Sequence, residues 1–233
     1  MKSYEKFVSK EDIKKIHENS LRIMEEVGVV FENERAQEIF RDAGATVEGT
    51  LVKIPAKLVE DALKTVPSSF RLHSTLHGDI VLGADSRDKI ITSNCSNVYI
   101  EDNGKIRHAT NEDTVKQFIM SETSPITTTA HWNDFPDKSE FNKEQRIMGV
   151  GAMTLRYSSK YAFSLMANVR GLDVEEADCY RTKGLEMSMN FQGITEKDQP
   201  IAIVGINALS PLAYDQAPID NLIYGCWGQK PSN

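Results

Sequence analysis

The sequence predicts an α/β fold, a partial TIM (β/α) barrel of about three βα units preceded by a helical and β-hairpin region. The first observation is that β-prone apolar segments begin at residues 126, 161 and 201, and a helical pattern follows each one. The second is that buried strands alternating with helices are typical of a parallel sheet. The third is that the residues before 125 have a different pattern, with short helices and a hairpin.

The N-terminal region begins with three predicted helices. Ser9 and Asp12, at capping-box spacing, start an apolar stripe that ends at Gly28. A second helix is predicted from Asn33 as its cap to the stop at Gly44, and a third over residues 56–66 between two prolines. Short β-prone pieces lie between and after these helices.

A β-hairpin is predicted next. The β-prone residues 98–101 and 105–108 lie on either side of Asp102-Asn103-Gly104, a strong short-range hairpin signal. Thr110 and Asp113 then have the spacing of a capping box that opens another helix. We therefore assign residues 1–124 to an N-terminal helical and hairpin extension.

Residues 125–233 are predicted to form the first part of a (β/α)8 barrel. The strands are expected to be parallel, and their helices to cover about residues 144–157, 174–189 and 217–227. A complete barrel takes roughly 250 residues, and 108 follow Pro125. We therefore expect the chain to be the truncated front part of a longer protein.

Composition narrows the class of partner. The net charge is -7, from 27 Lys and Arg against 34 Asp and Glu, and the basic residues are scattered along the chain. This pattern argues against a nucleic-acid or membrane partner. No leader-like apolar segment and no run of roughly 18 apolar residues is present, and the three cysteines are far apart. These features predict a cytoplasmic protein with free thiols.

Several segments carry a resemblance to a known family. They are His17–Val29, a stretch from Phe40–Ala45 through Val52–Pro55 to Pro67, and Asn207–Leu212, the last containing Ser-Pro-Leu after a predicted strand. Together they resemble the trimethylamine methyltransferase (MttB-like) family of corrinoid-dependent enzymes that demethylate methylamines and betaines. The resemblance covers most of this chain but only about the first half of a family member. It also implies a (β/α) barrel with an N-terminal extension.

The resemblance implies a specific reaction. A methyl group passes from a tertiary or quaternary methylated amine to the cobalt of a corrinoid that a separate small protein carries. The chain itself would bind no cofactor and no metal directly, because the corrinoid supplies the nucleophile and the barrel supplies binding and orientation. The implied partners are therefore a corrinoid protein and a small methylated amine.

Candidate binding residues follow from the barrel prediction, because functional groups of such barrels lie at the C-terminal ends of the strands. Trp132 would either face the cationic head, an interaction worth ~0.5–2 kcal/mol, or simply cover the rim. Amides just past a buried strand need hydrogen-bond partners and can orient a carboxylate or an amine. The candidate substrate-binding residues are His131, Trp132, Asn168, Asn207 and Ser210. No catalytic residue is assigned.

Two alternatives remain open at this point. The chain is either a methyltransferase portion or an inactive fragment that acts at most as an assembly or binding module. Another barrel enzyme, such as a lyase or an aldolase, would need a lysine at a strand end, which the sequence does not show. The strand predicted to begin at Ile201 would lie at the edge of the sheet with unpaired backbone groups. Because such an edge can pair with another chain, we expect a homo-oligomer. With three strand ends, the chain alone is expected to show negligible methyl transfer.

Overall fold

A computed structural model describes residues 7–73, 77–83, 86–92, 99–129, 134–161, 169, 171–195 and 206–227, without the side chains of 225–227. The chain divides into two compact units. The first comprises Met1–Pro67 with Ile206–Ile223, and the second Ser68–Gly205 with Tyr224–Asn233. The domain boundary predicted after residue 124 falls inside the second unit and stays a prediction.

Helices and short strands alternate along the described residues. In chain order they are α1 (Lys10–Arg22), a π-helical turn (Ile23–Val27), β1 (Val29–Phe31), α2 (Glu34–Asp42), β2 (Thr46–Glu48), β3 (Leu51–Lys53), α3 (Ala56–Thr65), β4 (Ser69–Leu72), β5 (Ile80–Gly83), β6 (Tyr99–Asp102), β7 (Lys105–His108), α4 (Asn111–Thr123), α5 (Lys143–Tyr157), α6 (Val174–Gln192), β8 (Ala213–Tyr214) and α7 (Gln216–Trp227). No described helix is both long and apolar enough to cross a membrane.

The predicted helix starts are confirmed by the caps. The side chain of Ser9 accepts a hydrogen bond from the backbone N–H of Asp12, and the Asp12 carboxylate accepts one from the backbone of Ser9. Thr110 and Asp113 form the same reciprocal box at α4. Each box satisfies backbone N–H groups that a helix would otherwise leave unpaired. These local contacts explain why the starts could be predicted from sequence.

A four-stranded sheet organises the first unit, with strand order β2-β3-β1-β8. β1 pairs antiparallel with β3 and parallel with β8, where Val30 lies opposite Ala213. Gly28, with φ of +90°, turns the chain from the π-helical turn into β1, and a Cβ there would lie 2.9 Å from the Val52 carbonyl oxygen. β1 and β8 are findings of the structure, because strands of two or three residues are too short for a periodic signal.

The core of the first unit joins both ends of the chain. Val52 is fully buried, and the ring of Phe31 stacks on Tyr214 at 5.3 Å and tilts against Phe40 at 4.7 Å between centroids. The buried residues of this cluster are Val29, Phe31, Ala36, Ala45, Val52, Ile54, Ile219 and Ile223. Burial of such side chains from opposite ends of the sequence holds the unit together.

The predicted hairpin is confirmed in the second unit. β6 and β7 pair antiparallel, with Asp102 opposite Lys105. Asn103 and Gly104 form the two-residue loop with φ of 52° and 80°, the left-handed region that this kind of turn requires. Arg107 then forms a two-pronged ion pair with Asp113, at 2.6 and 3.0 Å, and holds the pKa of that carboxyl well below its ordinary value.

The predicted barrel strands lie largely outside the described residues. A parallel bridge joins Thr129 to Tyr161, which is the pairing direction expected for the first two strands. Residues 162–166 and 201–205 are not among those described. The three-strand parallel arrangement and the partial barrel therefore stay predictions. The predicted helices near 144, 174 and 217 are confirmed as α5, α6 and α7.

Asn33 provides a test of how the first unit is held together. It is 2% exposed, caps α2 by accepting from the Ala36 N–H at 2.8 Å, and donates through Nδ2 to Asp220 of α7 at 2.6 Å. Asn33→Ala removes both contacts, so we expect the free energy of unfolding to fall by about 2 kcal/mol. Urea titration followed by circular dichroism measures this loss.

Asn33→Asp separates the two contacts. The introduced carboxyl keeps the acceptor for the α2 cap but places a second carboxyl beside Asp220, and this raises the pKa of the pair. A raised pKa in the folded state means that stability is recovered as pH falls. We expect the variant to be weaker than wild type near pH 7, with the difference shrinking below about pH 5. A difference that does not change with pH would contradict the assignment.

Candidate functional site

Two of the five candidate binding residues lie within the described chain. His131, Trp132 and Asn168 lie outside the described residues. Asn207 and Ser210 are both exposed and belong to the first unit, in the segment that leads into β8. The roles assigned to all five therefore stay predictions.

The segment with Asn207 and Ser210 is a tight surface turn. Leu209 and Ala213 exchange backbone hydrogen bonds of 2.7 and 3.1 Å across it, and the Ser210–Pro211 peptide bond is cis. The turn leads directly into β8, and the pairing of β8 with β1 fixes the end of the turn. Both polar side chains are thus presented at the surface by a turn with a defined backbone.

A buried lysine lies in the second unit, next to the segment predicted as the second barrel strand. Lys160 is 7% exposed, and its Nζ donates to the carbonyl oxygens of Ser121 and Ser124 and to Thr127 Oγ1. Burial lowers the pKa of this amine, and the charge of Glu122 opposes that shift. An ammonium group has three N–H donors, and all three have partners here. This lysine therefore ties the end of α4 to the start of two predicted strands.

Glu122 belongs to the same group of polar contacts around Lys160, which we call the Lys160 cluster. Its carboxylate accepts hydrogen bonds from Ser158 Oγ at 2.9 Å, from the Ser159 N–H at 3.1 Å and from the Ser159 hydroxyl. Burial by itself raises the pKa of Glu122, but the hydrogen bonds from Ser159 and Ser158 together lower it below the ordinary value. The ionised carboxylate therefore joins the end of α4 to the residues after α5.

Tyr161 and Thr129 complete this cluster at the parallel bridge. The Tyr161 hydroxyl donates to the Gly78 carbonyl oxygen at 2.9 Å, and burial, followed by the charges of Asp79 and Asp88, raises its pKa. Thr129 is fully buried, and its hydroxyl has no hydrogen-bond partner among the described residues.

The position of this cluster indicates its role. It lies where the first two predicted strands begin, whereas the candidate binding residues follow strand ends. In (β/α) barrels the N-terminal ends of the strands serve stability and the C-terminal ends carry chemistry. Sequence reasoning missed the cluster; the polar run Ser158-Ser159-Lys160 directly before an apolar segment is the signal that could have revealed it.

A groove of about 490 Å3 runs between α5 and α6. Its lining combines apolar residues such as Met148 and Met187 with charged residues such as Glu144 and Lys183. The helices are also joined by ion pairs between Lys143 and Glu176 at 2.5 Å and between Lys183 and Glu144 at 3.9 Å. Within the described stretches, no three His, Cys, Asp or Glu side chains are grouped so that they could hold a metal ion.

Comparison with known proteins decides the family. A model of the trimethylamine methyltransferase (MTTB) family matches residues 2–229. The chain belongs to this family. The family membership that the N-terminal helices and the segment around Ser210 predicted is thereby confirmed over nearly the whole chain.

Curated relatives of this MTTB-family chain include three matched over nearly all of it. Proline betaine:corrinoid methyltransferase of Eubacterium limosum is 34% identical over 94% of the chain and 45% of the relative. Glycine betaine methyltransferase of Desulfitobacterium hafniense (strain Y51) is 29% identical over 93% and 43%. L-carnitine:corrinoid methyltransferase of Eubacterium limosum is 29% identical over 93% and 44%. The chain thus spans less than half the length of these relatives.

The Lys160 cluster generates a stability prediction. Lys160→Met keeps the length of the side chain but leaves buried acceptors without donors, so we expect a loss of about 1–3 kcal/mol in the free energy of unfolding. Lys116→Met, on the exposed face of α4, is the control and should change stability by no more than about 0.5 kcal/mol. Equal effects of the two substitutions in thermal unfolding would show that the buried amine is not structural.

The pKa of Glu122 generates a pH prediction. Because its folded pKa lies below the ordinary value of 4.5, its stabilising effect is present above that pH and is lost as pH falls toward the folded value. Glu122→Gln should therefore flatten the decline of stability on the acid side of about pH 4.5, measured by urea unfolding at a series of pH values. An unchanged acid slope in the variant would contradict the assigned ionisation.

Proposed function

We propose that this chain is part of a corrinoid-dependent methyltransferase, which moves a methyl group from a methylated amine to a corrinoid carried by a partner protein. The single observation that carries the proposal is the family match over residues 2–229. The relatives named as corrinoid methyltransferases support it. The partial barrel predicted from residue 125 onward is the scaffold that we propose for this activity.

We propose a quaternary ammonium donor that also carries a carboxylate. The relatives matched over 93–94% of the chain are named for proline betaine, glycine betaine and L-carnitine, which share that chemistry. Trimethylamine methyltransferase MttB of Desulfitobacterium hafniense (strain DSM 10664 / DCB-2) is matched over 32% of the chain, although at 41% identity. The longer matches favour the betaine class.

A quaternary donor also simplifies the chemistry asked of the protein. When the C–N bond breaks, its electron pair stays on nitrogen and a neutral tertiary amine leaves, so no proton has to be delivered. The corrinoid supplies the nucleophile when it is bound. The chain's own residues would then bind the donor, orient its methyl group and exclude water.

Specific residues take these roles in the proposal. Trp132 would bind the methylammonium head through its ring face, while the amides of Asn168 and Asn207 would donate hydrogen bonds to the carboxylate. The exposure of Asn207 is compatible with contact to a small ligand. His131 and Ser210 would shape the polar rim around the donor.

A chimera tests this proposal directly. The chain would replace the matching 226-residue portion of the proline betaine:corrinoid methyltransferase, and conversion of cob(I)alamin to methylcobalamin would be followed by absorbance. We expect turnover with proline betaine, glycine betaine or L-carnitine and much less with trimethylamine. A chimera that folds but converts none of these donors would refute the methyltransferase function and favour an assembly or binding module.

Single substitutions in the chimera test the proposed roles. Trp132→Ala should raise KM for the quaternary donor by about 2- to 30-fold, the equivalent of a cation–π contact. Tyr157→Ala, an exposed aromatic at the end of α5, is the matched control and should leave KM unchanged. The isolated chain, assayed alongside, is expected to show negligible turnover.

A further inference from the structure

Residues 158–161 are each hydrogen-bonded to the segment that runs from the end of α4 to the parallel bridge. The two serines donate to the Glu122 carboxylate, and the lysine donates to three oxygens of residues 121–127. The N–H of the tyrosine donates to the Thr128 carbonyl oxygen at 3.2 Å. Four consecutive residues at the start of the second predicted strand are thus held in one alignment with the first.

The Lys160 side chain makes the most exacting of these contacts. Two of its acceptors, the carbonyl oxygens of Ser121 and Ser124, lie at the C-terminal end of α4, where the last carbonyls of a helix have no partner within it. Pro125, four residues after Ser121, has no N–H to donate. The third acceptor, Thr127 Oγ1 at 2.7 Å, lies beyond the helix. One buried amine therefore binds both the end of α4 and the start of the first predicted strand.

The sequence after Lys160 explains why a polar group is needed here. Residues 161–166, Tyr-Ala-Phe-Ser-Leu-Met, are almost continuously apolar, so a shifted strand would replace one apolar side chain by another. A slip by two residues keeps each side chain on its own face and moves the strand by about 6.6 Å. That distance is far beyond the reach of a hydrogen bond, so the amine would lose its acceptors. Specifying register is the best-attested use of a buried polar group.

We propose that Lys160 sets the register of the parallel pairing between Thr129 and Tyr161, through the three hydrogen bonds of its buried amine. The consequence for the donor site rests on the proposed function. Trp132 and Asn168 follow the two predicted strands, so the register of the pairing sets the distance between them along the sheet. Lys160 contacts neither donor nor corrinoid in this proposal and acts as a positioning residue.

Amide hydrogen exchange of the full chain, followed by NMR, tests the register. In Lys160→Met, kept under conditions where circular dichroism shows it folded, we expect exchange of the Tyr161 N–H to accelerate by about tenfold or more relative to the Val30 N–H of the first unit. Arg107→Met, which breaks the ion pair with Asp113 elsewhere in the same unit, is the matched control and should leave this ratio unchanged. No acceleration in Lys160→Met, or equal acceleration in the control, would overturn the proposal.

Thr127→Val is a milder variant for the same measurement. It keeps the shape of the side chain and removes one of the three acceptors of the Lys160 amine. We expect a smaller acceleration at the Tyr161 N–H. Exchange at the wild-type rate would show that this contact does not hold the pairing.

The chimera provides a readout that a merely stabilising lysine would not change. Assayed well below its unfolding temperature, Lys160→Met should lose about 10- to 100-fold in kcat with the betaine donors, because misplacing a bound group by about 1 Å can cost that much. Arg107→Met should keep the kcat of the unsubstituted chimera. An unchanged kcat in folded Lys160→Met would refute the positioning role. A chimera that is inactive before any substitution refutes the proposed function instead, and the exchange rate at Tyr161 still decides the register.

Discussion

The first unit depends on one long-range interaction, the burial of the short β1 strand between β3 and the distant β8. Val30 pairs with Ala213, and Phe31 stacks on Tyr214, so residues from both ends of the described chain share one core. Asn33 reinforces this closure, because its single amide caps α2 and also binds Asp220 of α7. Closing so long a loop costs conformational entropy, which buried apolar area and satisfied polar groups have to offset.

The second unit combines apolar packing, as at Phe118 and Leu185, with a buried lysine and its polar partners. Hydrogen bonds of Lys160 and Glu122 join the end of α4, Thr127 and the residues after α5, next to the parallel bridge between Thr129 and Tyr161. Buried ionised groups are tolerated when their donors and acceptors are satisfied, and removing one partner is costly. This cluster thus positions the beginnings of the predicted strands, while the candidate binding residues follow their ends.

This division suits the proposed chemistry. Methyl transfer from a quaternary ammonium needs a rigid frame, a face for the cation and donors for a carboxylate, and the corrinoid supplies the reactive atom. We propose that the predicted partial barrel supplies this frame.

The sequence by itself determined the family, the helix starts and the hairpin, because these depend on contacts close in sequence, such as the boxes at Ser9 and Thr110 and the Asn103-Gly104 turn. Only the tertiary structure decided the β1–β8 pairing and the buried partners of Lys160. Those contacts join residues 33 to 183 positions apart, and no local pattern encodes them. For the candidate site, sequence reasoning supplied five residues. Of these, the fold places Asn207 and Ser210 at the surface, since side-chain exposure depends on packing between distant segments.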